Sequence, residues 1–129
     1  MKITMDPIGY FHTDETEIPR HWSISDEKGW IEINPGYLEG IKHIRAGQQI
    51  AVIFYFHRSG AFTKVLLIQT PPHRGRKMGV FSICSPRRPN PVGLSILAVI
   101  GVRGNKIDVN HIDMIDGTPI IDIKPHISA

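Results

Sequence analysis

Arg88 and Asn90 sit in the run Ser85-Pro86-Arg87-Arg88-Pro89-Asn90-Pro91-Val92-Gly93-Leu94-Ser95, where three prolines fall within six residues. Each proline fixes φ and removes a backbone donor, so 85–91 can be neither helix nor central strand. The segment is therefore a stiff loop, able to hold a guanidinium and a carboxamide in one geometry, as recognition of a small polar ligand requires. A second segment, Asp113-Met114-Ile115-Asp116-Gly117-Thr118-Pro119-Ile120-Ile121-Asp122-Ile123-Lys124-Pro125-His126, follows downstream.

The charge order points to a larger partner. No Asp or Glu occurs between Glu39 and Asp108, and 11 of the 15 Lys and Arg lie in that interval. Eight of the 12 acids precede residue 40 and the other four fall in 108–122, behind a net charge of only +3. Segregation of this kind suits a polyanion. The competing reading is that folding interleaves the segments and cancels the field. Within the acid-free stretch, Pro71-Pro72-His73-Arg74-Gly75-Arg76-Lys77 reads as a strand-free, mobile surface segment, and Arg74, Arg76 and Lys77 are its candidates for phosphate contact.

The single cysteine, Cys84, excludes an intrachain disulfide and a cysteine-based zinc site. It reads as a small buried residue at a strand end rather than a reactive thiol. The 7 histidines show no His-x-x-x-His spacing, so no metal is expected. No apolar run reaches the length of a membrane span, and the first residues lack the order of a signal peptide. The expectation is one domain over 1–129, in the cytoplasm.

The elements that must position these groups read as strands. Residues 48–56 are apolar and rich in β-branched and aromatic types, and 62–68 reads as a second strand. Others are expected at 3–12, 30–33, 79–84, 94–102, 105–112 and 120–123, between Gly, Pro, Asn and Asp turn signals. Pro35 to Ile44 suggests one short helix or turn. Arg103-Gly104-Asn105-Lys106 and Asp116-Gly117-Thr118-Pro119 read as tight turns. Many short strands at irregular spacing predict an all-β, mainly antiparallel compact barrel. Trp30, Phe81 and Tyr10 read as core; Trp22 reads equally as core or as a stacking platform. The Gly-x-Gly loop of a Rossmann donor site is not visible.

Both motifs resemble those of the S-adenosylmethionine-dependent tRNA methyltransferases that act on the exocyclic nitrogen of threonylcarbamoyladenosine beside the anticodon, the TsaA-like or TrmO-like β-barrel proteins. Gly79 to Ser95 is similar to that family's GVFATRSPxRPNPIGLS, and Asp113 to His126 to its DLLDGTPVLDIKPY. Weaker similarity runs through Ile8-Gly9-Tyr10, Ile18-Pro19-Arg20 and Phe54-Tyr55-Phe56-His57. The resemblance implies a TsaA-like β-barrel, S-adenosylmethionine as methyl donor, tRNA as partner, and a homodimer with the donor at or near the subunit interface. It carries donor contacts onto Trp22, Ser23 and Ile24, onto Arg58 and Ser59, onto Cys84 and Leu94, and onto Asn110, His111, Ile112 and Asp113. Cys84 stands where the family commonly has arginine, which removes a fork of donors that Arg87 or Arg58 would have to replace. His126 stands where it has tyrosine; both rings can stack and hydrogen-bond. Longer members carry a further C-terminal domain, and this sequence ends just after the second motif.

The urea-like acceptor nitrogen needs a base and stabilisation of the developing anion. The implied bases are Asp116 or Asp113, with Arg88 as anion stabiliser; Asp122, His111 and His126 are the other bases in the region, and Lys124 a second cation. Arg74, Arg76, Lys77, Arg87, Arg88, Asn90, Lys124 and His126 form the implied substrate and RNA set. Competing readings stay open: Asp116 shaping only its turn, Lys124 paired with Asp122, a donor- or RNA-binding module without turnover, or a different methyl acceptor.

Overall fold

Six strands close into a barrel, and the chemistry of the chain is gathered at one of its ends. The computed structural model describes residues 1–127. The barrel strands are β1 (Gly9–His12), β2 (Lys28–Ile33), β3 (Gln49–Tyr55), β6 (Val92–Arg103), β7 (Lys106–Asn110) and β8 (Pro119–Pro125). Two short strands, β4 (Ile68–Gln69) and β5 (Met78–Gly79), pair separately. The ring runs β1-β2-β7-β6-β3-β8 with every neighbouring pair antiparallel, and Gly9 opposite Ile120 closes the seam between β1 and β8.

Alternation along each strand explains the closure. In β3, Ile50, Val52 and Phe54 point inward while Gln49 and Tyr55 face solvent; in β6 the inward row is Ser95, Leu97 and Val99. Phe11, Ile31, Ile107, Val109 and Ile120 complete a fully buried core. Each such apolar side chain contributes about 1.5–3 kcal/mol of transfer free energy. Ser95 is the polar member of its row and is 0% exposed. Irregular pairing at Ile53/Phe54 and at Val99/Gly101 bends β8 and β6, as closing a small barrel requires.

The expected mainly antiparallel barrel with short helical turns is present, and the predicted turns fall where proposed. Gly104, at φ 59°, joins β6 to β7, and Gly117, at φ 85°, precedes β8. Both φ values lie in the left-handed region that glycine enters without a Cβ clash. Across the first hairpin Arg103 donates two hydrogen bonds, of 2.7 and 2.8 Å, to Asp108. Pro35–Ile41 is a 3₁₀ turn capped by the Asn34 side chain.

Five expectations are corrected. The strand expected at 62–68 is a 3₁₀ turn, Lys64–Leu67, followed by the two residues of β4; its Val65, Leu67 and Ile68 are exposed, so no core demanded a pleat there. The one expected at 79–84 is the end of β5 and a 3₁₀ turn, Val80–Ser82. That places Cys84 in an exposed loop rather than buried at a strand end. The strand expected from residue 3 begins at Gly9, because residues before Ile8 have no partner strand; Ile8 donates its N–H to Ile120. Of the aromatics read as core, Phe81 is 77% and Tyr10 48% exposed, and Trp30 is half-buried against His12. Trp22 is half-buried and packs against the core. Among the described residues no helix is long and apolar enough to cross a membrane.

Candidate functional site

Where β3 and β6 reach one end of the barrel, four segments enclose a cleft of about 660 Å³. Its walls are the 18–22 segment, the exit of β3 through Ser59, the proline loop from Ile83 to Arg88, and the 113–118 segment leading into β8. The two motifs singled out in the sequence thus face each other, although they are remote along the chain.

The floor is aromatic and depends on a missing side chain. Phe54 and Phe56 meet edge to face at 5.0 Å and 76°. A Cβ on Gly93 would lie 2.4 Å from the Phe54 ring and 2.8 Å from that of Phe56, so only glycine lets the pair lie over β6. Leu94 and Trp22 extend the apolar surface. A flat heterocycle is the natural occupant of such a floor.

The polar groups are unequal in sign. Arg20, Arg58 and Arg88 reach the cleft, and Asp113 is the carboxylate among its lining residues. Asp113 accepts from the buried Ser95 hydroxyl at 2.5 Å through Oδ1 and from the Trp22 N–H at 2.9 Å through Oδ2. Burial pushes its carboxyl above the ordinary value, while the Ser95 and Trp22 bonds and the nearby His21 pull it part of the way back. Arg88 turns one nitrogen inward, donating to the Ile83 and Ser85 carbonyls at 3.0 and 3.2 Å. That bond set staples the proline loop shut. Arg87 reaches the Ala61 carbonyl, and Gln69 bonds the Arg87 carbonyl at 2.7 Å, tying the same loop to the 61–69 segment.

Of the residues expected to contact a donor, Trp22, Arg58, Ser59, Cys84, Leu94 and Asp113 line the cleft. Ser23 and Ile24 continue the Trp22 turn but are exposed outside it. Asn110, His111 and Ile112 stand behind the wall. Asn110 bonds Asp26 at 3.2 Å, the Ile112 carbonyl accepts from Ser25 at 2.5 Å, and His111, at φ 69°, sets Nδ1 2.7 Å from the Ser25 carbonyl. They zip 25–27 onto 110–112 and so carry the Trp22 turn to Asp113.

Asp116 is outside the cleft lining. Its Oδ1 accepts the Thr13 N–H at 3.0 Å and lies 3.6 Å from His12 Nδ1, which fixes the turn to the end of β1. Arg87 and Asn90 are exposed on the outer side of the proline loop. Arg74, Arg76 and Lys77 are exposed on a loop whose Arg74 and Gly75 N–H groups both donate to the Pro71 carbonyl. Lys124 pairs with Asp122 at 3.2 Å. Lys124 lies opposite Ala51 and His126 bonds Gln49, so within this chain both are at the far end of β3 from the cleft. Within the single chain, the hydrogen-bond register of β8 on β3 thus carries Lys124 and His126 away from Arg88.

Sequence reasoning passed over His57, Gly93 and the Phe54–Phe56 pair as site residues. Gly93 carried a signal, since a lone glycine inside a strand marks a close approach of something to the backbone.

A family model described as the tRNA-methyltransferase O N-terminal domain matches residues 8–129. The chain is 36% identical over 131 residues to a probable S-adenosyl-L-methionine-binding protein of Pyrococcus abyssi, covering 98% of this chain and 70% of that one. It is 34% identical over 131 residues to the tRNA (adenine(37)-N6)-methyltransferase of Mus musculus, covering 95% of this chain and 30% of the mouse protein. A crystal structure of TrmO superposes with a TM-score of 0.80 at 27% identity, over 98% of this chain and 58% of that one. TrmO from Pseudomonas aeruginosa gives a TM-score of 0.77 at 26% identity, over 98% of this chain and 57% of that one. The chain thus spans most of the archaeal relative, under a third of the mouse protein and over half of the solved chains.

Proposed function

The chain belongs to the tRNA-methyltransferase O N-terminal domain family, and from that premise we propose that it methylates the exocyclic nitrogen of threonylcarbamoyladenosine beside the tRNA anticodon, with S-adenosylmethionine as donor. The observation that carries the reading is the cleft itself, in which both family motifs, an aromatic floor, an arginine rim and one buried-edge carboxylate converge.

The residues present fit such a donor. A cleft of about 660 Å³ lies within the roughly 300–1,000 Å³ that small ligands occupy. Trp22, Phe54, Phe56 and Leu94 offer surface for an adenine ring; Arg20 and Arg58 suit an α-carboxylate; Asp113 suits a ribose hydroxyl or a positive charge. When bound, S-adenosylmethionine supplies an electrophilic methyl carbon on a sulfonium centre. The chain's own contribution is chiefly to hold the reactants in one orientation, which can lower a barrier by several kcal/mol. Where the acceptor proton needs a base, Asp113 is better placed than Asp116, since it faces the cleft and burial raises its proton affinity. Arg88, locked by its own loop, supplies positive charge for the anion that forms.

The exposed Arg74, Arg76, Lys77, Arg87 and Asn90 form our RNA surface, an electrostatic contact to phosphate. The face beside the cleft, with Tyr55 at 42% and the rim residue Val92 at 39% exposure, is the surface we assign to a second copy. Association there would bring a second chain's groups to the cleft rim. With tRNA as the proposed substrate, we infer that the protein works in the cytoplasm.

The test is incubation with methyl-labelled S-adenosylmethionine and two tRNA pools, one bearing threonylcarbamoyladenosine and one lacking it, followed by nucleoside mass analysis. Label on that nucleoside in the modified pool alone is expected. Donor binding without transfer to either pool would reduce the chain to a binding module, the reading favoured by Cys84 at a position where the family carries arginine.

A further inference from the structure

Ser95 does not line the cleft, yet two walls of the cleft depend on it. It is the one hydroxyl in the inward row of β6, 0% exposed between Gly93 and Leu97. A buried hydroxyl must find a partner or forfeit about 1–3 kcal/mol. Ser95 finds Asp113, 2.5 Å away, and the other oxygen of that carboxylate takes the Trp22 N–H at 2.9 Å. The path Ser95–Asp113–Trp22 therefore runs from the rigid barrel interior through the 113–118 wall to the 18–22 wall. The Trp22 turn is three residues long and contains no buried residue, so the Trp22 N–H bond to Asp113 adds to the packing of its ring on the core and to the zip of 25–27 onto 110–112.

We propose that Ser95 is a positioning residue for the donor site: its buried hydroxyl fixes the Asp113 carboxylate and, through it, the Trp22 wall, so that donor affinity depends on a side chain no donor touches. The proposal rests on the donor-binding reading given above. It explains why a serine is tolerated in a row otherwise filled by Leu97 and Val99. It also makes Ser95 a keeper of charge, because a hydroxyl donating to a carboxylate favours the ionised form that burial opposes. Around Asp113 the other charged or titratable groups are Arg20 and His21 beside Trp22, His57 and Arg58 beyond β3, Cys84 and Arg88 on the proline loop, and Asp116 on its own segment. Most of these bear or can acquire positive charge, so the ionised state of Asp113 is the local negative counterweight.

The experiment is calorimetric titration of S-adenosylmethionine into wild type, Ser95→Ala, Asp113→Asn and the double variant, across pH. Ser95→Ala should weaken binding roughly tenfold, the loss of one charge-assisted hydrogen bond, and move the acid limb of the binding profile to higher pH. In the Asp113→Asn background the same substitution should cost little further, since the two residues act in series. Equal losses from Ser95→Ala in both backgrounds, or an unmoved acid limb, overturn the proposal: a merely structural serine adds its cost regardless of Asp113. Should Ser95→Ala not fold, Ser95→Cys replaces the hydroxyl by a weaker donor of similar shape and carries the same comparison. Absence of binding by wild type would overturn the donor reading instead. Amide exchange at Trp22, faster in Ser95→Ala, then reads the coupling between barrel and wall without any ligand, and unchanged exchange refutes it.

Discussion

Gly93→Ala isolates the packing that makes the cleft floor. The added Cβ would stand 2.4 and 2.7 Å from two atoms of the Phe54 ring and 2.8 Å from Phe56. These distances are about 1 Å inside ordinary carbon contact. Phe54 is 4% exposed and enclosed by the core, so it cannot swing into solvent. Relief must come from an off-rotamer ring or a displaced strand, and overpacking of this kind costs about 1–3 kcal/mol. For a domain of this size, about 2 kcal/mol corresponds to a drop of roughly 6–10 °C in Tm. Gly101 supplies the control on the same strand, because a Cβ there meets nothing within 4 Å. Gly101→Ala should leave Tm unchanged or slightly raised, through lower entropy of the unfolded chain. Thermal unfolding followed by circular dichroism, with S-adenosylmethionine titrated into each variant, reads both effects. Equal Tm and equal affinity for Gly93→Ala and Gly101→Ala would refute the argument that Gly93 is present to admit the aromatic pair.

Asp116→Asn keeps the oxygen that accepts the Thr13 N–H, so stability should fall by under about 1 kcal/mol and turnover should persist; loss of turnover at unchanged substrate binding would return Asp116 to the chemistry. Neutralising Arg74, Arg76 and Lys77 together should weaken tRNA binding and lower its salt slope by about 2, at roughly 0.7–0.9 per phosphate contact; a filter-binding series at two or more salt concentrations that shows no change in slope would remove this loop from the RNA surface. Asp113 has a folded-state pKa raised above its ordinary 3.8, so its contribution to stability is full below that value and is lost as pH rises through the folded pKa. Asp113→Asn removes this step, with Oδ1 left to take the Trp22 N–H and Nδ2 to face the Ser95 hydroxyl; the variant should therefore gain in Tm relative to wild type between pH 4 and neutrality, and a difference independent of pH would contradict the assignment.

The barrel was legible where local chemistry and tertiary demand agree. The 48–56 run, with β-branched and aromatic residues and alternating burial, is β3; the Gly104-Asn105 turn marks the junction of β6 and β7 correctly. The strand expectations failed where apolar residues serve surfaces. Val65, Leu67 and Ile68 look like a strand by type, yet they cover an exposed 3₁₀ turn with no partner to pair. Phe81 and Cys84 failed for the same reason. In the site, the proline loop and Asp113 were visible as motifs because their local constraints are written in consecutive residues. The relation of Ser95 to Trp22 was not, since it passes through Asp113 and depends on strand register rather than spacing. Register likewise removed Lys124 and His126 from the neighbourhood their motif suggested.

The seam between β1 and β8 has a kinetic meaning. Gly9 must find Ile120, and Trp22 must find Asp113, before either pairing is rewarded. Joining segments so remote in sequence carries loop-closure entropy early in folding, and topologies dominated by such pairings fold in milliseconds to seconds rather than microseconds. Because the 113–118 wall leads directly into β8 and the 18–22 wall follows β1, the cleft is complete only while that seam is paired. A ligand bound there grips both sides of that closure, so occupancy should slow unfolding as well as shift its equilibrium.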